Sequence, residues 1–102
     1  MIRVVVLLTA KPGRRDELLA AFKANVPAVL REKGCVEYAA YLDQEGGGPF
    51  QTKVGPDSFM ILETWETLAD LEAHRTAPHM VAYGKTAKDL IASRAIHVLT
   101  AA

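Results

Sequence analysis

Apolar residues fill both alternating sets of positions between Ile2 and Ala10, with Ile2, Val4, Val6 and Leu8 on one side and Val5 and Leu7 on the other. Such a β-branched run, ended by Lys11-Pro12-Gly13, predicts a strand that is covered on both faces. The period then changes. Leu18, Phe22, Val26 and Val29, flanked by Leu19 and Leu30, recur at helical spacing and predict a helix over 14–33, kinked at Pro27 and closed by Lys33-Gly34. A second strand is predicted over 35–43, with Tyr38 and Tyr41 on opposite faces. Residues 44–57 contain Gly46-Gly47-Gly48-Pro49 and Gly55-Pro56 and read as a loop that carries an apolar residue, Phe50. Loops of this length are uncommon in compact domains and are often lids or partner contacts. A third strand over 58–66 puts Phe59, Ile61, Glu63 and Trp65 on one face and Met60, Leu62 and Thr64 on the other. Thr67 and Asp70 form an N-cap pattern for a short helix to about residue 76. Pro78 suits the first turn of a further helical segment to about residue 93. Its stripe is Met80, Gly84, Ala87 and Ile91, with Tyr83 and Leu90 alongside. A fourth strand follows over 94–100.

The order β-α-β-β-α-β is the ferredoxin-like α+β arrangement, in a single domain spanning 1–102. Helices on such a sheet cover one face only, yet its strands are apolar on both. An open apolar face of that size is rare on a soluble monomer. The expected solution is a homodimer in which two sheets meet face to face as an α/β barrel, burying on the order of 2,000 Å² or more.

Composition narrows the function classes. The 102 residues carry no formal net charge, which argues against nucleic acid or a membrane surface as partner. Cys35 is the only cysteine, so neither an internal disulfide nor a paired-cysteine zinc site is available, and a reducing cytoplasm is expected. The run from Val4 to Leu8 is too short to span a bilayer and lacks a signal-peptide layout.

No phosphate-binding loop, dinucleotide turn, HExxH or GxSxG pattern is present. Candidate chemistry concentrates in residues 63–80, which hold the only tryptophan and two of the three histidines. His74 and His79 are five apart with Pro78 between them, and histidine is the natural general base near neutral pH. The plainer alternative for each is a local cap or hydrogen bond. A metal site built from both histidines and Glu63 is not supported by any diagnostic spacing. Glu63 shares a face with Trp65 and should be partly buried, so it needs a partner. Arg3, Arg94 or a group across the dimer would be a structural partner, whereas a histidine would make Glu63 an orienting residue. Trp65 and the tyrosines Tyr38, Tyr41 and Tyr83 are first candidates for packing and second for a pocket wall. Cys35 reads as a small buried filler and His97 as structural.

The motifs Lys11-Pro12-Gly13, Glu32-Lys33-Gly34-Cys35, Glu63-Thr64-Trp65-Glu66, Leu71-Glu72-Ala73-His74 and Thr76-Ala77-Pro78-His79-Met80 together resemble the antibiotic biosynthesis monooxygenase family, essentially end to end. Phe50-Gln51 and Pro56-Asp57-Ser58 are similar to its bacterial quinol monooxygenase subgroup. The resemblance implies a dimeric α/β barrel that oxidises a quinol or related aromatic phenol with O₂ and needs no metal, flavin or other cofactor. It implies His74 or His79 as the base, and Trp65, Tyr83, Met80, Phe50 and Tyr38 as the substrate-binding wall. Heme-degrading relatives use an asparagine on the first strand, which is missing here. Relatives that isomerise a phosphorylated signalling sugar share the Pro78-His79 segment but need a phosphate site, and no basic cluster is evident in the sequence. A non-catalytic module binding an apolar ligand is a further alternative.

Overall fold

The computed structural model describes all 102 residues. Strand β1 (Ile2–Ala10) is followed by helix α1 (Arg15–Leu30), strands β2 (Cys35–Tyr41) and β3 (Ser58–Trp65), helices α2 (Leu68–Arg75) and α3 (Pro78–Ala87), a 3₁₀ turn over Lys88–Leu90, and strand β4 (Ile91–Leu99). The sheet order is β2-β3-β1-β4, and every neighbouring pair is antiparallel. This is the ferredoxin-like α+β arrangement that the hydrophobic pattern predicts. No helix is long and apolar enough to cross a membrane.

Register sorts the residues between the faces. Val4, Val6 and Leu8 of β1 pair with Glu63, Ile61 and Phe59 of β3. These positions face the helices and meet Leu18, Phe22 and Val29 of α1 and Leu71 of α2 in the core. Trp65, Phe22 and Phe59 are its largest fully buried side chains, each contributing roughly 1.5–3 kcal/mol or more by removal from water. The other face carries Val5, Leu7, Met60 and Leu62, all half-buried, and no helix packs on it.

Several boundaries differ from the sequence expectation, for identifiable reasons. Helix α1 stops at Leu30 rather than near 33, because the chain turns at Glu32–Gly34: Cys35 N–H donates to the Glu32 carbonyl, and Glu66 N–H donates to the Gly34 carbonyl at 2.8 Å. Gly34 has φ of +80° and lies against the Asp70 carboxylate, so a Cβ there would be strained and would overlap Asp70. Strand β2 ends at Tyr41 because Asp43 leaves the sheet, its carboxylate accepting the N–H groups of Val54 (2.9 Å) and Gly55 (3.0 Å) to close the loop. Strand β3 ends at Trp65, since Glu66 turns to meet Gly34. Helix α3 ends at Ala87, and β4 begins at Ile91 rather than 94. Ile91 pairs with Ala10, and Leu90 accepts from Lys11 N–H at 2.8 Å, so strand pairing outweighs the helical stripe. Thr67 does cap α2, its Oγ1 accepting from Asp70 N–H at 3.1 Å.

Candidate active site

Between the sheet and helices α2 and α3 lies a cavity of about 650 Å³. Its floor is Val4, Val6, Leu8, Ile61, Ile96 and Val98, and its helical wall includes Leu71, Met80, Tyr83 and Ala87. Polar groups are few: Glu63, His74, Tyr38 and Tyr83, with Glu72, Arg75 and Arg94 as charged members. An apolar cavity with a few convergent polar groups is the usual form of a small-molecule site.

Local structure brings these side chains together. In β2, Cys35 pairs with Trp65 and Glu37 with Thr64, so Val36 is an extra, bulged residue. The bulge puts both Cys35 and Tyr38 on the helix face despite their odd spacing. Tyr38 then stacks on Phe22 (centroids 5.0 Å apart) and meets the His74 ring edge-on at 5.5 Å. Burial pushes the Tyr38 phenol far above its usual range, with Glu63 adding to the effect, so it stays protonated.

His74 is 4% exposed, on the inward side of α2. Its ring lies 4.7 Å from that of Trp65, tilted by 39°. Its Nδ1 is 2.8 Å from Oε2 of Glu32. The same oxygen is 2.9 Å from Nε2 of His79, so one carboxylate just after α1 ties together histidines on α2 and α3. Pro78 breaks the helix between them, and the two rings therefore approach Glu32 from different sides.

Of the partners open to Glu63 within the chain, neither Arg3, Arg94 nor a histidine bonds it: Oε1 accepts from Trp65 Nε1 at 2.9 Å. Arg3 sits on the opposite face of the sheet, and Arg94 is at the cavity wall. Oε2 of Glu63 has no partner but is not sealed off, so it is open to the cavity that Glu63 lines. Burial raises the Glu63 carboxyl pKa, against the lowering effects of the Trp65 N–H and the nearby His74. Cys35 is pushed up to about 11 by burial and by Glu32 and Glu63, which keeps it a thiol rather than a nucleophile.

The structure thus gathers His74, Glu63, Tyr38, Met80 and Tyr83 at one cavity and separates three other candidates from it. Trp65 is fully buried and backs the His74 ring instead of lining the wall. His79 faces a shallower groove of about 260 Å³ between α1 and α3. Phe50 is 88% exposed, in the loop between β2 and β3, and does not line the cavity. Glu32 went unassigned in the sequence because it was placed inside a helix end; its position there gave no hint of long-range bonds to residues 42 and 47 positions away. Arg75 and Arg94 are also brought to one cavity from α2 and β4, a proximity that no run of basic residues advertised.

A ferredoxin-like domain with an apolar cavity and a carboxylate-anchored histidine is the architecture of a small-molecule enzyme of the α+β class. The chain belongs to the antibiotic biosynthesis monooxygenase family, whose model matches residues 1–86. It is 39% identical over 101 residues to the probable quinol monooxygenase YgiN of Escherichia coli K12, covering 97% of this chain and 96% of that protein. The YgiN of Shigella flexneri matches to the same degree. Among solved structures, a Pseudomonas aeruginosa protein superposes with a TM-score of 0.82 at 23% identity, covering 99% of this chain and 93% of the other. A Mycobacterium tuberculosis protein gives 0.80 at 22%, covering 99% and 94%. The chain is accordingly an oxidoreductase of the monooxygenase kind.

Proposed function

We propose that the protein is a cofactor-independent monooxygenase that oxidises a quinol or related aromatic phenol with O₂, with His74 as the base. The observation that carries this reading is the placement of His74. It is the one histidine that lines the apolar cavity, and its Nδ1 is already engaged by Glu32. Its other nitrogen takes the phenolic proton of the substrate. The O–H bond breaks, the imidazolium forms, and the electron-rich phenolate passes one electron to O₂. The radical pair joins at a ring carbon, the peroxide is protonated, and loss of water leaves a quinone. The protein supplies deprotonation, orientation and a dry site. Tyr38, Met80 and Tyr83 line the wall against which an aromatic ring would lie, and the open oxygen of Glu63 offers an acceptor for a second hydroxyl.

The test is O₂ consumption by flavin-free, chelator-treated protein with a reduced naphthoquinone. Turnover is expected, and His74→Ala should lower kcat by about 10²- to 10⁴-fold, the usual span of a general base. No O₂ uptake across a panel of quinols would overturn the substrate class. Full activity in His74→Ala would remove the base.

Arg75 and Arg94 at the cavity support a second reading, proton transfer on a small phosphorylated ketose. Turnover of such a substrate without O₂ separates the two. In either case the functional unit of this reading is a cytoplasmic homodimer. Support for the dimer comes from the helix-free face bearing Val5, Leu7, Met60 and Leu62, beside which Leu99 of edge strand β4 is 48% exposed. Sedimentation equilibrium tests it, and a monomer at micromolar concentration would overturn it.

A further inference from the structure

Resting on His74 as the base, we propose that Glu32 is its positioning residue: Oε2 fixes His74 as the Nδ1–H tautomer, while the His79 Nε2–H holds that oxygen in place. Three observations lead here. The His74 Nδ1 to Oε2 separation is 2.8 Å, and the His79 Nε2 to Oε2 separation is 2.9 Å. An ionised carboxylate oxygen only accepts, and it has two lone pairs, so both ring nitrogens donate to it. The Glu32 side chain is 13% exposed and that of His74 is 6% exposed, so the first of these bonds is shielded from water.

The consequence falls on the opposite nitrogen. With Nδ1 protonated, Nε2 of neutral His74 carries the lone pair. Arg15 Nε is the only buried side-chain nitrogen or oxygen without a partner. Nε2 of His74 makes no protein bond, so it is open, and what it opens to is the cavity. When it accepts a proton, the positive charge develops beside the Glu32 carboxylate, which stabilises it. His79 never meets the substrate. It sits at the other groove, and its N–H keeps the carboxylate from turning away into solvent.

The architecture spends several features on this placement. The early stop of α1 at Leu30 and the tight turn at Gly34 bring Glu32 under α2. The break at Pro78 lets His79 approach from the far side. The remaining ionisable groups at this end are Glu63 on β3, Tyr38 and Cys35 on β2, Tyr83 on α3, Arg94 on β4, and Asp70, Glu72 and Arg75 on α2 itself. They stay in place in the variants below, so a change in His74 titration reports Glu32.

The experiment reads the His74 imidazole by ¹⁵N–¹H correlation NMR across pH, beside kcat and KM. In the wild type, neutral His74 is expected as the Nδ1–H tautomer. Glu32→Gln keeps the shape but lets an amide N–H face the ring, so the Nε2–H form should gain population and the His74 pKa should fall. Loss of kcat by about 10- to 100-fold with KM nearly unchanged should accompany it, the scale typical of a lost orienting partner. His79→Ala removes a donor from the carboxylate and should move the His74 pKa the opposite way, upward. A merely structural Glu32 would produce neither the tautomer change nor the opposed shifts. Wild-type tautomer and pKa in Glu32→Gln would overturn the proposal even if quinol oxidation is real. Conversely, a Glu32-dependent tautomer with no turnover of any quinol would leave the positioning role standing and sink the functional reading. Should Glu32→Gln not fold, the upward shift in His79→Ala carries the test, and its absence counts against the proposal.

Discussion

The two ends of the cavity lie on one face of one sheet and stand in opposite states. At one end β2 and β3, covered by α1 and α2, hold Trp65, Tyr38, Glu63 and His74 at 0–7% exposure. At the other, β4 presents Ile96 and Val98 on the same face of the sheet, and each remains more than half exposed. Both are apolar, alternate with the pleat and pair in register with β1. What differs is the layer above them. Helices α1 and α2 roof the first end, and nothing in the protomer roofs the second to the same degree. Electrostatic interactions are strong only where water is excluded, so His74, Glu63 and Tyr38 feel one another most at the closed end. The β4 end is the one left open.

The sharpest way to break this comparison is to cut into the closed end. Trp65→Ala removes a fully buried indole and leaves Glu63 without its N–H donor. A loss of about 3–5 kcal/mol in urea unfolding is expected, from the cavity and the orphaned carboxylate together. A loss below about 1 kcal/mol would show that this end is not the tightly packed one.

Glu63 tests the same end through pH. Burial raises its folded pKa above that of the unfolded chain, so the native state binds the extra proton more readily. The group therefore destabilises the fold above its folded pKa, and stability is regained as pH falls toward the ordinary glutamate value near about 4.3. Glu63→Gln keeps an acceptor for Trp65 and carries no charge. It should be more stable than the wild type at pH 7.5, with the gap closing as pH falls toward 4.3. Paired denaturation curves at several pH values check this, and a gap that widens on acidification would refute the sign.

Much of this contrast could be read from the chain, and the unread part has a physical pattern. The strand alternation placed Glu63 beside Trp65 on an inward face, and Thr67-Asp70 marked the start of α2, because both are local periodicities. The helix-to-strand switch at Ile91 was misplaced by three residues, since a β-branched residue fits either stripe and only pairing with Ala10 decides. The partner of Glu63 was missed because its neighbour two residues on, within the same strand, satisfied it instead of a distant arginine. Glu32 was invisible as a site residue for the opposite reason: its two bonds span 42 and 47 residues and depend on where α1 stops. The chemistry-bearing geometry lay where local signals are weakest, at the turns.

A milder perturbation addresses the open end. Ile96→Ala shortens a side chain that is 54% exposed, and for the protomer alone about 1 kcal/mol or less is expected. A second chain that covers this position would raise the cost and make the apparent Tm depend on protein concentration. The same variant should raise KM more than it lowers kcat, because the cavity wall changes and the base does not.

The smallest effect belongs to Phe50. At 88% exposure, its ring has almost no contact to lose when replaced by serine. The base of its loop is secured independently, by the Asp43 carboxylate on Val54 and Gly55 and by the Asp57 carbonyl accepting from Ala10 N–H at 2.8 Å. Phe50→Ser should therefore leave stability within about 0.5 kcal/mol of the wild type, with kcat and KM unchanged. Thermal unfolding and steady-state kinetics measured side by side check it. A rise in KM at unchanged stability would mean that this ring reaches a substrate cavity when the protein turns over. The open end would then owe its closure to the loop between β2 and β3 rather than to a second chain.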